Sequence, residues 1–124
     1  SMFSTALSPA TIAADKKGIQ LIMEQPQRVR QLQENVRYCC QALKERGIEA
    51  HSETAIIPII IGDEGRAMRV MELLKERGYY ISAIRYPTVA RGSARLRAAL
   101  MASHTKEDMD GLADALRECM ELAD

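Results

Sequence analysis

Arg95 and Arg97 stand two residues apart, with Leu96 between them, in a segment that reads as a strand from Arg95 to Met101. Side chains alternate across a strand, so both guanidinium groups leave on one side and Leu96 on the other. A guanidinium is a planar fork that holds a carboxylate through two parallel charge-assisted hydrogen bonds. Read by spacing alone, the pair is a solvated strand face, and spacing does not choose between the two arginines. Thr88 lies in a loop with Pro87 and Gly92, where a hydroxyl ordinarily bonds its own backbone. Ser4 and Thr5 precede the first helical pattern and read as caps. His51 and His104 are isolated and read as surface or capping groups, with His104 next to the helix cap Thr105. The neighbours Cys39 and Cys40 fall in a helical pattern and point apart. With Cys119 they make an odd count without metal-ligand spacing, so reduced thiols and no metal site are expected.

The elements that must position these groups alternate between helix and strand. Ser8-Pro9 opens a helical pattern that runs to about Glu24, less cleanly amphipathic than the others, with Ile12, Ile19, Ile22 and Met23 against Lys16 and Lys17. Pro26 restarts the chain. Val29, Leu32, Val36, Cys39, Cys40 and Leu43 then recur at three- and four-residue steps, which predicts a long surface helix ending in Leu43-Lys44-Glu45-Arg46-Gly47. The same five letters return from Leu74 to Gly78, after a shorter pattern through Ala67, Val70 and Met71. Ala55 to Ile61 reads as a strand whose Pro58 calls for an edge position or a bulge. Tyr79 to Arg85 reads as a second strand and Arg95 to Met101 as a third. Thr105 caps a last helix with Asp108 at the capping-box position and a stripe of Met109, Leu112, Leu116 and Met120. Together these predict an α+β fold, a small and mainly antiparallel sheet covered on one face by helices and preceded by a long helical segment.

At 124 residues the chain suits one modest core, aliphatic because it has one Phe and no Trp. Seventeen basic residues balance seventeen acidic ones, which removes any overall field for nucleic acid or an anionic membrane. No stretch approaches the length of a membrane span and no signal-peptide order is present, so a soluble cytoplasmic protein is expected. Ser1 ahead of Met2 reads as a tag scar on an engineered fragment.

The segment Phe3-Ser4-Thr5-Ala6-Leu7-Ser8-Pro9, followed by Ser82-Ala83-Ile84-Arg85-Tyr86-Pro87-Thr88-Val89 and then Gly92-Ser93-Ala94-Arg95-Leu96-Arg97, resembles the C-terminal third of the α-oxoamine synthases. It looks most like the 8-amino-7-oxononanoate synthase and glycine C-acetyltransferase branches. The resemblance implies the small domain of the fold-type-I aminotransferase architecture. It implies a parent acyltransferase, most similar to the biotin-pathway branch, that condenses glycine, alanine or serine with an acyl thioester and releases carbon dioxide. The cofactor it implies is pyridoxal phosphate, and the partners are an amino acid, an acyl-CoA or acyl-carrier-protein donor and a second subunit of a homodimer, with neither nucleic acid nor membrane. Residue by residue, Arg97 matches the clamp for the substrate α-carboxylate, Thr88 a substrate-contacting threonine, and Ser4 and Thr5 the approach to the partner subunit's cofactor phosphate. The family's cofactor-binding lysine, in a Ser/Thr-x-x-Lys setting, belongs to the larger domain. Lys16, Lys17, Lys44, Lys75 and Lys106 are read as helix or cap residues outside that setting, so no catalytic residue is expected here. Residues 1–25 are expected to be a remnant of the interdomain segment and 26–124 the small domain. The competing expectation is a free-standing amino-acid-binding or oligomerisation module without catalysis.

Overall fold

The computed structural model describes residues 26–124. The helical pattern expected from Ser8 to Glu24 lies outside them. Helix α1 spans Pro26–Glu45, followed by β1 (Ile56–Gly62), α2 (Glu64–Glu76), β2 (Ser82–Ile84), β3 (Ala94–Ala99) and α3 (Lys106–Leu122). The strands form one antiparallel sheet in the order β1-β3-β2. The α+β architecture read from the sequence is the one observed.

The two Leu-Lys-Glu-Arg-Gly segments end their helices in the same way. Gly47 and Gly78 adopt φ of +79° and +88°, a left-handed conformation that is inexpensive only without a Cβ. In each, the residue after glycine donates back to the leucine carbonyl, Ile48 to Leu43 and Tyr79 to Leu74, both at 2.9 Å. The glycine N–H reaches the lysine carbonyl at 3.0 Å in both. These are Schellman closures, which satisfy the carbonyls that a helix end leaves without partners. At the other ends, the Asp63 carboxylate accepts the Arg66 N–H at 2.8 Å, and Thr105 and Asp108 form the expected capping box.

Pro58 sits where a missing donor costs least, in edge strand β1, and the register slips three residues on, between Ile60 and Gly62. Both alternatives read from the sequence are therefore realised, at different residues. The second strand is shorter than expected. Tyr79 has spent its N–H on the helix closure, and the Arg85 carbonyl accepts from Thr88 at 3.0 Å and Val89 at 3.4 Å, so neither end is free to extend the ladder. The third strand stops at Ala99 rather than Met101, because Met101 turns its N–H to His104 Nδ1 at 2.9 Å and its carbonyl to the His104 N–H.

Alternation makes the sheet two-faced. Ile57, Ile59, Leu96 and Ala98 are buried with Val70 and Leu74 of α2, Leu43 of α1 and Leu112 and Leu116 of α3. The opposite face carries Ile60, 55% exposed, with Arg95 and Arg97. In the stripes, Val29 is exposed and Met120 half-buried, while Cys119 is fully buried.

Asn35 is the one buried polar residue among those described. Its amide donates to the carbonyls of Met101 at 2.9 Å and His104 at 3.1 Å, with Ala102 at 3.4 Å, and its oxygen accepts from Gln31. A side chain of α1 thus holds the chain that leaves the central strand. Helices α1 and α3 are tied by the Tyr38 hydroxyl on the Asp110 carboxylate at 3.0 Å and by Arg46 Nε on Asp114 at 2.6 Å.

Removing the Asn35 amide leaves several part-buried carbonyls without their donor, which costs about 1–3 kcal/mol. Asn35→Ala is therefore expected to lower the unfolding free energy from urea titration by that amount, and an unchanged value would show the carbonyls finding water instead. The Arg46 hydrogen bond is the main cause that holds the Asp114 carboxyl below its ordinary value of 3.8. Its contribution is present above that value and is lost as pH falls through the lower folded-state value. Asp114→Asn should flatten the decline of stability on acidification from about pH 4 downward, with the slope near neutral pH unchanged. Parallel stability-against-pH curves for the two proteins would contradict this.

Candidate functional site

The open face of the sheet is the candidate site. Leu96 is fully buried, and its burial against the helices sends Arg95 and Arg97 outward together. Arg97 lies on the central strand, opposite Pro58 of β1 and Ser82 of β2. Both neighbours are short, so neither covers the guanidinium. Arg95, opposite Ile60 and Ile84, is half-buried and donates through Nε to the Ser93 carbonyl at 3.1 Å. Arg97 is exposed, and among the described residues it has no hydrogen-bond or ion-pair partner. Spacing left the two arginines equivalent; the tertiary structure engages one and leaves the other's fork uncommitted.

Charge is distributed to the same effect. The ion pairs among the described residues join Arg46 to Asp110 and Asp114, Arg66 to Asp124, Arg77 to Glu118 and Arg117 to Asp114, all on the helical side. None involves Arg85, Arg91, Arg95 or Arg97. Arg97 is thus without an ion pair among the described residues, although Glu107 and Asp108 line one of the depressions that it borders. Two shallow depressions flank Arg97. One of about 490 Å³ is lined by His51, Thr54, Pro58 and Arg95, and the other of about 670 Å³ by Tyr80, Ser82 and His104. A larger depression of about 750 Å³ lies between α1 and residues 50–55 and reaches neither arginine nor Thr88. His51, given no role from sequence, is brought beside the arginines only by the packing of the segment before β1, a contact without a local signal.

Thr88 is exposed in the connection from β2 to β3, which leaves the sheet at its Arg95 end, and it lines neither depression beside Arg97. Its N–H closes a turn on the Arg85 carbonyl at 3.0 Å, while its hydroxyl has no partner among the described residues. The Tyr86–Pro87 peptide in this connection is cis. Ser4 and Thr5 lie outside the described residues. His104, read as a surface or capping group, accepts the Met101 N–H in the turn that follows β3, while Thr105 and Asp108 cap α3.

Ser103-His104-Thr105-Lys106 does spell the Ser-x-x-Lys spacing. The setting is nevertheless a helix start: Lys106 opens α3, exposed, with its ammonium 5.5 Å from the centre of the Tyr38 ring. Lys44 and Lys75 sit in the last turns of α1 and α2. Among the described residues no cluster of metal-ligating side chains is present, and no helix is long and apolar enough to cross a membrane. The three cysteines are free. Burial pushes the Cys39 thiol up to about 12 and is also the main cause that raises Cys40 and Cys119.

Residues 1–116 match the family model described as aminotransferase class I and II. The chain is 46% identical over 123 residues to the biotin biosynthesis bifunctional protein BioWF of Corynebacterium kroppenstedtii, which covers 96% of this chain and 17% of that protein. It is 44% identical over 110 residues to the 8-amino-7-oxononanoate synthase of Symbiobacterium thermophilum, covering 88% of this chain and 28% of that one. The fold matches Sphingomonas wittichii serine palmitoyltransferase with a TM-score of 0.78 at 26% identity, over 86% of this chain and 28% of that one. The chain thus spans about a third or less of the length of the curated relatives it matches.

Thiols with raised pKa values are weak nucleophiles at neutral pH. Cys39 and Cys119 are expected to resist an aromatic disulfide reagent in the folded chain, half-buried Cys40 to react slowly, and all to react at once in urea. Rapid modification of Cys39 under native conditions would show that α1 opens readily.

Proposed function

The chain belongs to the class I and II aminotransferase family, and from that premise we propose that it forms the C-terminal small domain of a pyridoxal-phosphate-dependent α-oxoamine synthase. In this reading the parent condenses an amino acid, glycine, alanine or serine, with an acyl-CoA or acyl-carrier-protein thioester and releases carbon dioxide. The parent resembles the biotin-pathway enzyme, in line with the names of its relatives. Residues 26–124 are the small domain, supported by the core they share, and residues 1–25 are the link to the larger one. The parent works as a cytoplasmic homodimer. Free thiols suit a reducing compartment.

The observation that carries the reading is the uncommitted Arg97 guanidinium at the centre of an open, cationic sheet face. There it takes the substrate α-carboxylate in two parallel hydrogen bonds, fixing the substituents of Cα in space. The described residues fit a substrate-holding part better than a cofactor-holding one, because their lysines lie at helix ends. Pyridoxal phosphate, held mainly by the rest of the parent, supplies an electron sink for the carbanion. Ser4 and Thr5 are assigned to its phosphate, and Thr88 offers its free hydroxyl to the bound substrate. The catalytic lysine falls to the larger domain.

In the complete enzyme, Arg97→Ala is expected to raise the amino-acid KM strongly and lower kcat. Together these should cost about 2–5 kcal/mol in kcat/KM, the range for truncating one member of a buried charge pair. Arg95→Ala should cost far less, since its Nε is already engaged with Ser93. Steady-state kinetics with several amino acids and acyl thioesters decides it; a damaging Arg95→Ala with a silent Arg97→Ala would reverse the assignment.

A further inference from the structure

The connection that carries Thr88 is clasped to the corner between β1 and α2. The Tyr86 N–H donates to Glu64 Oε2 at 2.8 Å across 22 residues of sequence. The Arg91 guanidinium lies over the Tyr86 ring, 3.9 Å from its centre, a cation–π contact to the same residue. One residue further, Gly92 brings its carbonyl to 3.7 Å from where a Cβ on Gly62 would stand, and Gly62 itself has φ of +98°. Both ends of the connection therefore rest on Gly62 to Glu64, while the Thr88 hydroxyl between them has no hydrogen-bond partner among the described residues. Loops are ordinarily the softest part of a fold, and their placement depends on such few anchors.

Resting on the proposed role of Thr88, we propose that Glu64 is a positioning residue for substrate. By accepting the Tyr86 N–H it fixes where Thr88 and the flanking Arg85 stand relative to the arginines of β3, although Glu64 itself does not touch substrate. The acceptor geometry of its side chain is what matters, so glutamine, which keeps a carbonyl oxygen at the same reach, replaces it and alanine does not. Arg91 assists by stacking on the Tyr86 ring.

The test uses the complete enzyme, with kinetics for the amino acid and the acyl thioester and a thermal midpoint for each variant. Glu64→Ala is expected to lower kcat/KM about tenfold, because misplacing a contact by about an ångström costs up to a hundredfold. The rise in KM should fall on the same substrate whose KM rises in Thr88→Ala. The double variant Glu64→Ala/Thr88→Ala should be no worse than the worse single one, since residues acting through one contact are not additive. Glu64→Gln should stay within about threefold of the parent. The inference is overturned if Glu64→Ala shifts the thermal midpoint and leaves both KM values alone, if Glu64→Gln is as damaged as Glu64→Ala, or if the double variant shows the product of the single effects. Failure of the underlying reading has a separate signature: a silent Arg97→Ala beside a damaged Glu64→Ala removes the clamp and keeps the positioning role. A damaged Arg97→Ala beside a fully active Glu64→Ala does the reverse.

Discussion

Everything functional in this chain depends on burying Leu96 and Ala98 on one side of the central strand. Because side chains alternate, seating those two in the helix-covered core obliges Arg95 and Arg97 to face away from it. A one-residue slip of β3 would place both guanidinium groups in an aliphatic interior, where an unpaired charge is prohibitively costly. The register of the sheet is thus set by hydrophobic burial, and the arginine face is its direct consequence.

The surrounding structure serves to hold that register. Edge strand β1 accommodates a proline and a bulge because only its inner side must pair, and the bulge turns the chain at Gly62 toward the N-cap of α2. Beyond the far end of β3, Asn35 gathers the carbonyls of the turn into α3. A buried amide with all its capacity used is costly to displace, so this contact fixes the path on leaving the strand as firmly as the bulge and corner fix the edge beside it.

The polar interactions divide by side. Tyr38, Arg46, Asp110 and Asp114 bind helix to helix, and Arg77 reaches Glu118 between α2 and α3. The arginines that follow β2 make no ion pair among the described residues. Glu64, beside their connection, takes a backbone N–H rather than a guanidinium. The result is a small layer whose two faces differ in hydrophobicity and in charge compensation, as suits a part that meets an anionic ligand on one side.

By itself the sequence determined what local physics decides. The helix closures at Gly47 and Gly78, the capping box at Thr105 and Asp108, the edge placement of Pro58 and the common side of Arg95 and Arg97 each rest on a few neighbouring residues, and all were legible. Tertiary structure alone decided what depends on partners far along the chain. Asn35 is buried on a polar stretch of helix because its amide meets carbonyls 66 and 69 residues away, in the turn that follows β3. Arg95 and Arg97 are equivalent by spacing and only the resemblance favours Arg97; in the fold a local bond to the Ser93 carbonyl engages Arg95 as well. Periodicity fixes which face a side chain takes, whereas its partner on that face is fixed by chain returning from elsewhere, and no window of sequence contains both.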